Sequence, residues 1–100
     1  MSHPNLTEIA GVLARLDALR HTPAGIPIVR FGLAHTSTQC EAGLERQVDC
    51  IVDVVAVERE ALLVSAVTLG TSLKVKGFLD RKSMRSQHLE LHATLIEFAN

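Results

Sequence analysis

Five cations and one aromatic side chain lie close together in the last third of the sequence, and together they are able to bind a nucleic acid. Residues 74–85 hold five Lys and Arg side chains and a single Asp. On a strand, the period of two puts Phe78 on the same face as Lys74 and Lys76. Cations neutralise phosphates while bases stack on aromatic rings, as in proteins that bind single strands. The segment predicts either such a binding face or an ordinary solvated one, with Phe78 packed at an interface or under a loop.

The histidines and carboxylates have no spacing typical of a catalytic or metal site. His88 and His92 are four residues apart, which suits zinc on a helix, but on a strand they would lie about 13 Å apart. The same separation on a strand keeps Asp49 and Asp53 from forming an acid–base pair. The sequence has no nucleotide-binding glycine loop and no nucleophile motif. We therefore predict no catalytic residue, no metal and no cofactor, and keep a small enzyme using His88 or His92 as a third alternative.

Length and composition are those of an ordinary globular protein. With 100 residues, 47% hydrophobic and 21% charged, we predict a single domain over residues 1–100. Residues 1–8 lack the basic head and apolar run of a signal peptide, and residues 61–69 are about half as long as a membrane span. Cys40 and Cys50 form no metal or redox motif. We predict a cytoplasmic protein without a membrane segment and with two reduced thiols, leaving open a disulfide between them.

Alternating apolar and polar residues predict two strands near the end of the chain. Residues 73–79 and 89–95 both follow a period of two. The adjacent apolar pair Leu95 and Ile96 breaks the second pattern, as a bulge would, or a strand that leaves one sheet for another surface. The polar, basic run from Arg81 to Gln87 predicts a long exposed hairpin loop between the two strands.

The upstream segments complete a β-rich pattern. Residues 28–34 and 47–57 predict strands, the second apolar on both faces toward its end. Residues 6–19 fit a helix by their Ala and Leu content, or a bent strand by their central Gly. Residues 58–69 predict a helix, with two acids in the first turn and Gly70 beyond the end. The order predicts an all-β fold, a five-stranded oligonucleotide/oligosaccharide-binding (OB) barrel with at most one short helix between strands 3 and 4.

Three short segments resemble the bacterial primosomal replication protein N (PriB) family. They are Thr-Pro-Ala-Gly-Ile-Pro at 22–27, Cys-Glu-Ala-Gly-Leu-Glu-Arg-Gln at 40–47 and Val-Lys-Gly-Phe at 75–78. They occur in the order that the family uses, and the similarity extends over residues 5–98. The resemblance implies an OB-fold homodimer, a non-enzymatic accessory factor of replication restart. It implies binding to single-stranded DNA and bridging of a PriA-like restart helicase and a DnaT-like helicase-loading protein.

The resemblance also implies where DNA is contacted. Carried over by position, the family's basic sites fall on Arg20, on Arg46 and on the hairpin loop. Lys74, Lys76 and Phe78 come from the strand-face argument alone. The predicted nucleic-acid-binding residues are Arg20, Arg46, Lys74, Lys76, Phe78, Arg81, Lys82, Arg85 and His88.

The chain departs from enterobacterial members of that family in ways that weaken DNA binding. Those members have aromatic residues in the segment equivalent to 44–49, where this chain has Leu44 and Asp49. Each lost stacking partner would cost about 1–3 kcal/mol, and Asp49 adds an anion near the phosphate path. The predicted hairpin loop from Arg81 to Gln87 is also shorter than in those members. We therefore keep as the alternative a protein-interaction adaptor with little DNA binding of its own, which the six acids and two Arg of residues 41–60 favour.

Overall fold

The long strands of this chain close a barrel, as seen in a computed structural model that describes residues 2–99. The elements are β1 (Thr7–Leu16), β2 (Arg20–His21), β3 (Pro27–Glu41), β4 (Leu44–Val57), α1 (Arg59–Ser65), β5 (Ser72–Arg81) and β6 (Leu89–Phe98). Pairing runs β1–β5–β6–β4–β3 and returns from β3 to β1, with only β4 and β6 parallel. The two-residue β2 adds to the edge of β3. The predicted all-β, five-stranded barrel with one short helix after its third long strand is confirmed.

The ambiguous segment 6–19 contains a strand, β1, which closes the barrel. Its first half pairs with β5 and its second half with β3, and Val12 takes part in both pairings. Gly11 lies at this crossing, where a Cβ would be 2.2 Å from the carbonyl oxygen of Ala34. The central Gly therefore permits the close approach of β3, and the Ala and Leu content that favoured a helix is overridden by this tertiary pairing.

Strand β3 continues seven residues past the predicted strand 28–34, and β4 begins three residues before the predicted strand 47–57. Residues 36–41 and 44–49 pair only with each other and form a protruding hairpin arm, joined by a turn at residues 42–43. Most side chains of this hairpin arm are exposed, and the molecule measures 49 Å along its longest axis. The arm covers no core and therefore lacks an alternating apolar face. For this reason the hydrophobic pattern did not predict residues 36–41 and 44–46 as strands.

The hairpin register separates the two cysteines. Cys40 is opposite Glu45 and Cys50 is opposite His35, five residue pairs further along the hairpin. At the rise of a strand this is about 17 Å, whereas the Cα atoms of a disulfide lie less than about 7 Å apart. Both thiols are free and exposed. A disulfide between Cys40 and Cys50 of the same chain is therefore excluded.

The helix is shorter than the predicted 58–69. It runs from Arg59 to Ser65, and the N–H groups of Ala66 and Val67 donate to carbonyls only three residues back. This tightened turn ends the helix, and Val67 packs against the core just after it. Among residues 2–99, no helix is long and apolar enough to cross a lipid bilayer.

The barrel interior is apolar, and α1 closes one end of it. Phe31, Leu33 and Leu91 are fully buried, as is Val64 on the inner side of the helix. Glu60 is buried too, and its carboxylate accepts a hydrogen bond from the Ile96 N–H at 3.0 Å. That bond ties the helix to β6 and satisfies a buried charged group.

The predicted bulge near Leu95 is confirmed. Lys76 is opposite Leu95, but the next residue, Gly77, is opposite Ala93, so that Thr94 is left without a partner. This extra residue lets both Ala93 and Ile96 face the core. At the other end, β5 continues to Arg81 and β6 begins at Leu89. His88 therefore lies in the loop, and the expectation that His88 and His92 share one strand is wrong.

Candidate nucleic-acid interface

One row of side chains crosses the outer face of four neighbouring strands. Arg30 of β3 is opposite Val55 of β4, Val55 is opposite His92 of β6, and His92 is opposite Phe78 of β5. We call these four residues the outer row. Their alternation follows from the fully buried neighbours Phe31, Val54 and Leu91 on the inner face. The row puts a cation and two flat rings on the outer face of the sheet, with Val55, which is buried, between them.

The two rings of the outer row stack on each other. Phe78 and His92 have centroids 4.9 Å apart and planes inclined by 6°. Phe78 keeps 40% of its surface exposed, so His92 stacks on its ring without covering it. Nε2 of His92 is buried and has no hydrogen-bond partner within residues 2–99. Such an ordered, accessible aromatic ring is a platform on which a base can stack.

Phe78→Leu should weaken the binding of a single-stranded oligonucleotide about fivefold or more, because one stacking partner is worth about 1–3 kcal/mol. Fluorescence anisotropy with labelled oligo-dT measures the change. Phe98→Leu is the matched control, since Phe98 is exposed at the far end of β6. Equal effects of the two substitutions would show that no base stacks on Phe78.

Arg20 and Arg30 lie together at one end of the outer row. Both line a concave pocket that also includes Asp17. The Arg30 guanidinium donates to both carboxylate oxygens of Glu90, with Nε at 3.3 Å and Nη2 at 3.5 Å. Glu90 is buried, and this pairing fixes the direction of Arg30. Within the described part of the chain, Arg20 has no carboxylate within 4 Å, which leaves its charge open to an incoming anion.

The loop that follows Phe78 carries the largest group of exposed cations. We call residues 81–88 the basic loop. The guanidinium of Arg81 donates to the Met84 carbonyl at 3.3 Å, and the Lys82 N–H donates to the His88 carbonyl at 3.0 Å. These bonds shape the loop while leaving the charge of Arg81 unpaired. Arg85 also has no carboxylate partner among residues 2–99.

Lys74 and Lys76 share the outer face of β5 with Phe78, as predicted, but their charges are already matched. Glu8 of β1 lies 3.5 Å from both ammonium groups, and Glu97 of β6 lies 3.8 Å from that of Lys74. The side chains of all four residues are about half exposed, so these pairs are weak and exchangeable. Compared with the basic loop, this patch offers little uncompensated charge.

Arg46 lies on the hairpin arm, away from the outer row. Its Nη1 donates to Glu41 at 3.2 Å, and both side chains are exposed. The positions at which enterobacterial relatives were expected to have aromatic residues, Leu44 and Asp49, are also on this arm and exposed. The hairpin arm therefore presents neither an aromatic ring nor an unpaired cation.

Asp53 joins three elements that are distant in sequence. Its Oδ1 accepts a hydrogen bond from Nη1 of Arg15 on β1 at 3.3 Å, and its Oδ2 accepts one from Nζ of Lys82 in the basic loop. Arg15 also donates to Asp17 at 3.1 Å. The bond from Lys82, with that from Arg15, holds the pKa of Asp53 below its ordinary value despite some burial. This carboxylate is thus ionised at neutral pH.

Sequence reasoning missed Arg15, Arg30 and His92. A signal was available for Arg30 and His92, because both point outward in strands whose alternation is clear. Arg15 had none, since its segment was ambiguous between helix and strand. Within residues 2–99, no three His, Cys, Asp or Glu side chains group in a way that could hold a metal ion.

Comparisons with known proteins point to one family. The model of a family described as "Another single-strand binding protein family" matches residues 5–95. The chain is 38% identical over 88 residues to the replication restart protein PriB of Bordetella pertussis, covering 88% of this chain and 82% of the relative. It is 36% identical over 97 residues to that of Yersinia pestis, covering 94% and 92%.

Solved structures agree with these sequence relatives. PriB from Ralstonia solanacearum superposes with a TM-score of 0.91 at 28% identity, over 98% of this chain and all of the other. The single-stranded DNA binding protein from Thermus aquaticus superposes with a TM-score of 0.76 at 27% identity, over 97% of this chain and 50% of the other.

Proposed function

Because this chain belongs to the single-strand binding protein family, and within it to the PriB replication restart proteins, we propose that it binds single-stranded DNA as an accessory factor of replication restart. The proposed role is non-enzymatic. Residues 1–100 would act as one domain, since their five long strands close one barrel.

The observation that carries the proposal is the exposed Phe78–His92 stack between two groups of cations. Arg20 and Arg30 lie toward the β2 side of the outer row, and the basic loop follows β5 at its other end. A strand laid along this row would meet cations for its phosphates at both ends and a ring for a base between them. These contacts are made to phosphates and to the flat faces of bases, which every sequence has. We therefore propose binding with little sequence preference.

We further propose that the protein is a cytoplasmic homodimer that bridges a PriA-like restart helicase and a DnaT-like helicase-loading protein. The name of the sequence relatives, replication restart protein, supports a role in replication restart. An edge on β1 supports the dimer: away from β5, residues 7–9 pair with no other strand among residues 2–99. A second copy could add a strand to such an edge.

A second candidate function is a protein-interaction adaptor with little DNA binding of its own. The observation that favours it is that four of the nine proposed binding residues already face carboxylates. These are Arg46, Lys74, Lys76 and Lys82. An incoming phosphate would have to displace those carboxylates, which lowers the net gain from binding.

Anisotropy of labelled oligo-dT at about 50 and 200 mM salt tests the two functions against each other. The DNA-binding proposal expects binding that weakens steeply with salt, because neutralised phosphates release counterions. It also expects duplex DNA of the same length to bind less tightly. If oligo-dT does not bind even at the lower salt, the DNA-binding proposal fails. Binding of the purified restart helicase would then support the adaptor.

A further inference from the structure

Asp53 occupies the space between two cations from distant parts of the chain. Each oxygen of its carboxylate accepts a hydrogen bond from a different cation, Arg15 on β1 and Lys82 in the basic loop. These partners lie 38 and 29 residues away in sequence. By contrast, Glu8 and the lysines of β5 form ion pairs between adjacent strands, and each of those lysines faces a carboxylate of a neighbouring strand.

A phosphate diester has the same features as this carboxylate: one negative charge and two outer oxygens that accept hydrogen bonds. We propose that Arg15 and Lys82 form a phosphate-binding site and that Asp53 holds it in competition with the DNA backbone. This inference rests on the proposed function, since the competing anion is a phosphate of the single strand. Arg15 thereby becomes a binding residue in addition to the nine predicted from the sequence.

The exposure of the three side chains allows the exchange. About half of Arg15, 40% of Lys82 and 33% of Asp53 are accessible to solvent. Ion pairs at such positions are weak and compete with other anions in solution. Lys82 is also the first residue after β5, so its side chain is able to turn toward a bound strand while the Lys82–His88 backbone bond keeps the loop closed.

The competition has a measurable signature in the salt dependence of binding. When a phosphate displaces Asp53, the freed carboxylate takes up a cation from solution, which offsets part of the counterion release. Asp53→Asn removes this offset and leaves two cations unpaired by Asp53. We expect it to raise oligo-dT affinity about three- to tenfold at low salt. The slope of log K against log salt should steepen by up to about 0.7, because Arg15 and Lys82 share one phosphate.

Glu58→Gln is the charge-matched control. Glu58 follows β4, is exposed and forms no ion pair within residues 2–99, so its replacement changes the net charge equally without touching Arg15 or Lys82. Both substitutions are also made in a chain with Arg15→Ala and Lys82→Ala. There the gain from Asp53→Asn should vanish, while any gain from Glu58→Gln should remain. Far-ultraviolet circular dichroism and thermal unfolding confirm that each variant is folded.

Three results would overturn the inference: no gain in Asp53→Asn, an equal gain in both variants, or a gain that survives loss of Arg15 and Lys82. Inorganic polyphosphate, which has phosphates but no bases, serves as a second probe. If the wild-type chain does not bind oligo-dT, the proposed function fails. A gain for polyphosphate that is specific to Asp53→Asn would still support the phosphate site, and the absence of that gain would reject it.

Discussion

Replacing Arg81, Lys82 and Arg85 together by alanine is expected to lower affinity for oligo-dT by about tenfold or more. It should also flatten the slope of log K against log salt, because each phosphate contact to a single strand contributes about 0.7 to that slope. Arg81 and Arg85 face no carboxylate among residues 2–99 and should count fully. Lys82 is paired with Asp53 and should count less. We therefore expect a change of about 1.4 to 2.1.

The control for this experiment keeps the charge and changes the shape. In this control Arg81 and Arg85 are replaced by Lys, and Lys82 is replaced by Arg. The salt slope should stay near its wild-type value. The basic loop contributes no residue to the buried core, so neither variant should shift the unfolding midpoint by more than a few degrees. An unchanged slope in the alanine variant would exclude this loop from the DNA footprint.

Gly77→Ala is expected to cost about 3 kcal/mol or more of the free energy of unfolding. A Cβ at this position would lie 1.8 Å from the carbonyl oxygen of His92 and 2.8 Å from its carbonyl carbon. These are backbone atoms of the paired strand β6, so no side-chain movement relieves the overlap. For a domain of this size the midpoint of thermal unfolding should fall by about 12 °C or more, measured by circular dichroism or calorimetry.

Gly32→Ala separates this effect from a general intolerance of substitution. The nearest atoms to its added Cβ are side-chain atoms, Nη1 of Arg15 at 3.3 Å and Cγ2 of Ile51 at 3.4 Å. We expect a change of less than about 1 kcal/mol there. If Gly77→Ala unfolded at the wild-type temperature, the bulge at Thr94 would have to open enough to accept a methyl group. The close approach of Gly77 to the His92 backbone matters for function, because Gly77 precedes Phe78 and brings its ring onto that of His92.

Local patterns in the sequence were sufficient for the strands that cover the core, except β1, whose segment fitted a helix or a strand. The alternation in residues 73–79 and 89–95 predicted β5, β6 and the bulge between them, because one face of each strand is buried. The same rule failed for the hairpin arm, which buries neither face. It also overestimated the helix, which ends at Ser65 in a tightened turn.

The candidate site divides in the same way. Charge counting along the chain identified the basic loop and placed Phe78 beside it. Whether each cation is free to bind DNA depends on carboxylates far away in sequence. Lys82 meets Asp53 from 29 residues away, and Arg30 meets Glu90 from 60 residues away. Spacing within a segment carries no information about such pairs.

Residue type, short-range periodicity and short motifs were enough to predict the fold class, the family and the position of the basic loop. Three features became visible only in the folded chain: His92 stacks on Phe78, the two cysteines lie too far apart to pair within one chain, and Asp53 holds Arg15 and Lys82. The energies of stacking and ion pairing fall off with distance in space, and barrel closure brings residues together with little regard to their separation along the chain.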